Sequence, residues 1–306
     1  MSVIGLDTSN YTTSIACFDG IDGVNCSQLL PVKAGELGLR QSDAVFHHTK
    51  SLPELSGRLF SHVSGDISAV AVSTRPRAVE GSYMPCFMVG YSHAKLLSDA
   101  LHVPLYEVSH QQGHVAAALW SAGRLDLMDK PYLAWHLSGG TTELLLVEPE
   151  GKNVKCTRIG GTSDISAGQL IDRTGQLLGL SFPAGKHLDE LSKSAEKTDM
   201  FKVKCPECSF SLSGVQNKVQ QYFDAGNSRS DTAAFALRCI CRGVVQATQN
   251  AMKQYPGLEV VFSGGVASNS MLRQLTADLD PVFAQPQFST DNAMGVAVLA
   301  HRLQEG

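Results

Sequence analysis

The sequence predicts an α/β protein in which one supersecondary plan is used twice. Three observations predict it. Two short apolar strands about a polar turn open the chain, VIGLD (3–7) and SIACFD (14–19) around TSNYTT. The same order returns at YLAWHL (132–137), SGGTT (138–142) and ELLLVE (143–148). In each half a helix-rich stretch then leads to a strand ending in a turn, ISAVAVSTRP (67–76) and LEVVFSGGVASN (258–269). Internal repetition of this kind points to two similar α/β halves facing a cleft. The break falls near 105–131. The expected division is 1–105 and 106–306, with an insertion at about 186–235 and a last helix able to pack on the first half.

Composition limits what such a protein does. With 306 residues, 43 % apolar and 18 % charged, the chain has ample core and is globular rather than disordered. A net charge of −4, with no long basic run, argues against a stand-alone nucleic-acid binder, so RNA contact calls for a local patch or a basic partner. MSVIGLDTSN lacks the basic and long apolar regions of a signal peptide, and no apolar run is long enough to span a bilayer. The expected location is cytoplasmic. Eight cysteines, mostly inside apolar segments, read as reduced core thiols.

The elements follow in order. The apolar letters of the opening strands and of 132–148 suit strands that flank turns of small residues. His47 and His48 stand at what reads as the start of an exposed helix. SHQQGHVAAAL (109–119) carries two histidines four apart, which share one helix face. Such a pair offers two imidazoles to one metal, or else fills a helix face with two ordinary histidines. The turns SGG (138–140) and SGGVASN (263–269) follow apolar strands, and small residues there let backbone N–H groups approach an anion. Gly264 and Gly265 precede the helical SNSMLRQLTADL, whose N-terminus favours a phosphate or another polar group. Cys205 and Cys208 in CPEC have zinc or redox spacing. Cys239 and Cys241 are the only nearby further ligands and have the wrong spacing, so a loop with two free thiols is expected. Asp291 stands before the helical NAMGVAVLAHRL, where a carboxylate can cap.

DTSNYTTSIACFD, SGGTT and FSGGVASN resemble the phosphate and adenosine loops of the actin, hexokinase and chaperone-ATPase superfamily. Within it, HQQGH, ISAGQLIDRTGQLLGLSFPAG (165–185), SFSLSGVQ (209–216) and STDNA (289–293) are similar to the TsaD family, which transfers threonylcarbamoyl to tRNA. The resemblance runs along essentially the whole chain in the same order. It implies a duplicated actin-like ATPase (ribonuclease-H-like) fold with two similar lobes around a nucleotide cleft. It implies one divalent metal ion, iron or zinc, on His110, His114 and Asp291. It implies nucleotide contacts from His136, Leu137, Ser138, Gly139 and Gly140, from Asp172 at the ribose, and from Gly185, Gly264, Gly265 and Asn269. The nucleotide is threonylcarbamoyl-adenylate, or ATP or AMP. The implied reaction is acyl transfer across the cleft to the N6 amine of a tRNA adenosine next to the anticodon, with AMP leaving. The implied partners are tRNA, an ATPase-fold subunit and a small ATPase, and no membrane.

The residues depart from the family pattern in places. Asp7-Thr8-Ser9-Asn10-Tyr11-Thr12-Thr13 lacks the family's acidic pair. Thr141 replaces a histidine after Gly-Gly, Gln169 a glutamate, and Arg75-Pro76-Arg77 a neutral Gly-Pro-Gly segment. The alternative reading is therefore a metal- and nucleotide-binding paralogue without the transfer activity, either a non-catalytic subunit or one with another carbamoyl acceptor. A sugar kinase would want a carboxylate base near its acceptor hydroxyl and has no task for HxxxH. A zinc protease would want the glutamate of HExxH, which HQQGH lacks.

Overall fold

A computed structural model describes residues 1–9, 11–31, 39–289 and 291–305. Asn10 of the first loop and Thr290 of the STDNA stretch lie outside the described residues. The chain begins with strands β1 (Ser2–Asp7), β2 (Thr12–Phe18) and β3 (Gly23–Leu29), then helix α1 (Gln41–Phe60) and strand β4 (Ile67–Arg75). Helix α2 (Phe87–Leu101), strand β5 (Leu105–Ser109) and helix α3 (His110–Ser121) follow. The strands form one sheet in the order β3-β2-β1-β4-β5. β1 pairs antiparallel with β2 and parallel with β4, and β5 runs parallel to β4.

The next strands are β6 (Tyr132–Leu137), β7 (Thr142–Glu150) and β8 (Asn153–Thr162). Helices α4 (Ala167–Leu177) and α5 (Gly185–Ser192), the two-residue strand β9 (Ser209–Phe210), and helices α6 (Ser213–Asp224) and α7 (Arg229–Gln254) come after. Strand β10 (Val260–Ser263), helix α8 (Ser270–Thr276), strand β11 (Val282–Phe283) and helix α9 (Met294–Gln304) complete the chain. The second sheet has the order β11-β10-β6-β7-β8-β9. Apart from β9, this is the first sheet's plan again: β6 takes the place of β1, with an antiparallel neighbour on one side and a parallel one, β10, on the other.

The described chain forms two compact units. Unit 1 holds Met1–Lys130, Glu148–Cys156 and Gln287–Gly306; unit 2 holds Pro131–Val147 and Thr157–Pro286. The stretch 106–130, given above to the second half, lies in unit 1, and so does the last helix. In unit 1 the apolar face of β1 and β4 (Ile4, Leu6, Val70, Val72) closes over Leu52, Leu55 and Leu59 of α1. In unit 2, Leu133, Trp135 and Leu137 of β6 share a core with the length of α7. The stretch 186–235 contributes to this core. Leu188, Phe210, Leu212, Val215 and Val219 are buried in that same core.

Sequence reasoning found neither β3 nor β8. β3 reads exposed or half-buried at every position but Cys26, and β8 does so from Lys155 to Ile159, so their letters are mixed. His48 is wholly buried rather than exposed, bonded through Nδ1 to Thr13 Oγ1 at 2.8 Å. Among the described residues no helix is long and apolar enough to cross a membrane.

Candidate functional site

The local sequence sets α3 firmly. Ser109 Oγ accepts from Gln112 N at 3.2 Å, and Gln112 Oε1 accepts from Ser109 N at 2.9 Å, a reciprocal capping box. The helix therefore starts at His110, with His114 one turn on. α9 crosses this helix at two glycines. A Cβ on Gly295 would land on the Gly113 carbonyl oxygen, so only glycine lets the two backbones approach. Just ahead of α9, Ala293 N donates to Ser14 Oγ at 2.8 Å and Met294 N to Asn292 Oδ1 at 3.1 Å, which fixes the loop holding Asp291. Asp291 is not the cap of α9: that position is Ala293, which makes no side-chain cap bond.

Three donors converge there. His114 Nε2 lies 2.8 Å from His110 Nε2 and 3.1 Å from Asp291 Oδ1. His110 Nε2 lies 3.5 Å from the same oxygen. Among the described residues this is the one His, Cys, Asp and Glu cluster whose ligand atoms could hold a metal, all within 4.8 Å of one another. Two imidazoles and a carboxylate suit a divalent transition ion and leave positions for a substrate. All three residues belong to unit 1. Charge is concentrated here. Burial pushes His110 down, but the Asp7 charge and hydrogen bonds to Asp291 and Asp7 outweigh it and hold the imidazole at about 10. Burial pushes Asp291 up, and the bonds and charge of both histidines hold it well below the usual carboxylate range. His48 is pushed down to about 4 by burial and stays neutral.

The loop residues lie in unit 2. β6 and β7 form a hairpin whose turn is Ser138–Thr141, closed by Ser138 N donating to Thr141 O at 2.8 Å. Gly139 and Gly140 are exposed, and a Cβ at either would meet nothing within 4 Å. The turn is held from beneath by α4, where Ser166 Oγ donates to Gly139 O at 2.6 Å. A side chain on Gly168 would strike Gly139. Gly264, at φ +92°, lies against the end of β6, where a Cβ would collide with Leu137. His136 and Leu137 are buried in β6, and His136 pairs with Ser263 of β10. Thus the structure brings Leu137, Gly139 and Gly264 to one end of the sheet.

Asp172 accepts from Ala184 N at 2.8 Å, and burial raises its carboxyl. The same contact sets the start of α5 at Gly185. Asn269 caps α8, accepting from Leu272 N at 3.0 Å, and donates to Asp189 Oδ1 at 2.8 Å. Asp189 was not picked out from the sequence. Its neighbours Asn269 and Ser270 are eighty positions away, and no local pattern marks the pairing. Gln169, one of the departures, is the second half of another capping box, accepting from Ser166 N at 3.1 Å. Glutamine serves there as well as glutamate. Cys205 is half-buried and Cys208 buried, and neither is in a disulfide.

Residues 37–298 match the model of the family described as TsaD, tRNA N6-adenosine threonylcarbamoyltransferase. The chain belongs to the TsaD family. A relative from Sulfurihydrogenibium sp. (strain YO3AOP1), named tRNA N6-adenosine threonylcarbamoyltransferase, is 31 % identical over 99 % of this chain and 90 % of its own length. One of the same name from Thermosipho africanus is 32 % identical over 99 % of this chain and 94 % of its own. Among solved structures, full-length HypF aligns with all of this chain at a TM-score of 0.64 and 16 % identity. The chain spans about half the length of HypF, covering 47 % of it. The activator of 2-hydroxyisocaproyl-CoA dehydratase from Clostridium difficile aligns at 0.57 and 15 % identity over 97 % of its length. A ROK family glucokinase from Streptomyces griseus aligns at 0.55 and 10 %. At such identities these neighbours show the fold alone, and it is the actin-like ATPase fold.

Proposed function

We propose that this protein transfers the threonylcarbamoyl group of threonylcarbamoyl-adenylate to the N6 amine of a tRNA adenosine next to the anticodon. The observation that carries this reading is the convergence of His110, His114 and Asp291 in a member of the TsaD family. These three would hold one divalent ion, iron or zinc. The ion would supply a Lewis acid and an anchor for substrate oxygens. The chain's other residues bind and orient. Gly139 and Gly140 offer backbone amides on an open turn that begins at Ser138, with His136 and Leu137 below them. Asp172 would take the ribose, and Gly185, Gly264, Gly265 and Asn269 the remainder of the nucleotide. In the reaction the N6 nitrogen bonds to the carbamoyl carbon and releases a proton to solvent, the bond from that carbon to the phosphate oxygen breaks, and AMP leaves with the electron pair. Positioning and electrostatics carry such a step without an enzyme nucleophile. An ATPase-fold subunit and a small ATPase would assist, in the cytoplasm.

The test is transfer itself. Purified protein is mixed with threonylcarbamoyl-adenylate, unmodified tRNA and the partner proteins, and the modified nucleoside is sought by mass spectrometry. Product that disappears with Asp291→Ala supports the reading. No product, from protein that still binds metal and nucleotide, overturns it in favour of a paralogue altered at Tyr11, Thr12, Thr141, Arg75 and Arg77. His110→Ala is expected to lose bound metal without unfolding. Elemental analysis beside a melting curve checks this, and unchanged metal content removes the proposed site.

A further inference from the structure

Asp7 ends β1 and is completely buried. Its Oδ1 accepts from Ser73 Oγ at 2.5 Å, and its Oδ2 accepts from Ser9 Oγ at 3.2 Å. Its Oδ2 also lies 2.9 Å from His110 Nδ1. Among the described residues His110 is the one basic group paired with it, and no lysine or arginine reaches it. A carboxylate taken out of water needs a compensating charge or a full set of donors. Here the two hydroxyls come from Ser9, beyond β1, and from β4, while the remaining donor is the imidazole that also faces His114 and Asp291.

His110 therefore uses both ring nitrogens. One is committed to Asp7, and the other lies in the cluster, 2.8 Å from His114 Nε2. Which nitrogen carries the proton is set by the bond the other makes. An acceptor-only carboxylate at Nδ1 keeps the proton there and leaves the Nε2 lone pair for a cation. We propose that Asp7, held by Ser73 and Ser9, is the positioning residue of the metal centre, fixing the tautomer and ring orientation of His110. The inference rests on the reading of His110, His114 and Asp291 as metal ligands. It gives the first loop a task that needs neither of the missing carboxylates at Tyr11 and Thr12.

The full-length protein tests it with zinc alone, by competition against a chromophoric chelator. X-ray absorption of the loaded protein counts imidazole ligands. Asp7→Asn keeps the size of the side chain but presents an amide N–H to Nδ1, which favours the proton on Nε2. Affinity is expected to fall about 10–100-fold, the range for lost outer partners of metal-bound histidines. The imidazole count is expected to drop from two to one. A purely structural role for Asp7 would move the melting temperature and leave that count at two. Ser73→Ala, which frees one carboxylate oxygen, is expected to weaken binding in the same direction by less. Wild-type affinity with two imidazoles in folded Asp7→Asn overturns the inference. Should that variant not fold, wild-type affinity in Ser73→Ala overturns it. If zinc binds the wild type and not His110→Ala, the metal reading stands whatever Asp7 does. If the wild type binds no zinc, both fall.

Discussion

His110 and Asp291 share a charge that makes the metal-free protein sensitive to pH. His110 titrates near 10 when folded against an ordinary 6.5. The stability it contributes is complete below pH 6.5 and drains away as pH rises toward 10. Asp291 lies below its ordinary 3.8, so its contribution is complete above that value and is lost as pH falls further. The Asp7 charge raises His110 most; the part that His110 and Asp291 exchange counts once. The melting temperature of the metal-free protein is expected to decline from pH 6.5 to 10, and His110→Gln to flatten that decline. A cation must displace the same proton. Binding near pH 7.5 should release about one proton, read from calorimetry in two buffers of different ionisation heat. Of these residues the sequence showed the histidines by their spacing alone. Asp291 was recoverable only through resemblance, because 177 positions separate it from His114. Asp7 escaped notice because its partner is 103 positions away and a lone aspartate at a strand end carries no pattern.

At the scale of elements, the crossing of α3 and α9 sets the donors. Gly295→Ala would drive a methyl group into Gly113 O and to 2.6 Å from Ala117 N. Overpacking of this kind costs about 1–3 kcal/mol, more than the gain of about 1 kcal/mol from replacing a helical glycine. We expect lower stability and weaker zinc binding together, since one helix carries both histidines and the other follows Asp291. Gly57→Ala is the contrast. It sits exposed in α1 with nothing within 4 Å, and should gain about 0.5–1 kcal/mol in a denaturant melt with no effect on zinc. The elements that sequence reasoning found best were those buried on both faces. YLAWHL coincides with β6 residue for residue. Strands wetted on one side carried mixed letters and went unseen. In the stretch 186–235, charged surface residues hid the apolar side chains that enter the core.

At the scale of the molecule, the duplicated plan was legible because both hairpins and both following strands kept their order. The place of division was not, since it depends on packing: the tip of the β7–β8 hairpin joins unit 1 when Gln112 Nε2 donates to Val154 O at 2.7 Å. All three proposed metal ligands fall in unit 1 and all the proposed nucleotide residues in unit 2. Zinc at a hundred times its Kd should therefore stabilise unit 1 by about 2.7 kcal/mol, and AMP should act on unit 2. Scanning calorimetry with and without chelator checks this, the expected result being that zinc moves the unit 1 transition. The position of α9 has a further consequence. It packs on β1, β2 and β4, elements made long before it. A growing polypeptide presents both imidazoles long before the ribosome reaches Asp291, and until then it lacks the carboxylate that completes the set. On the proposed metal reading, tight uptake therefore waits until Asp291 has been made, and a chain cut short between His114 and Asp291 would be unable to load.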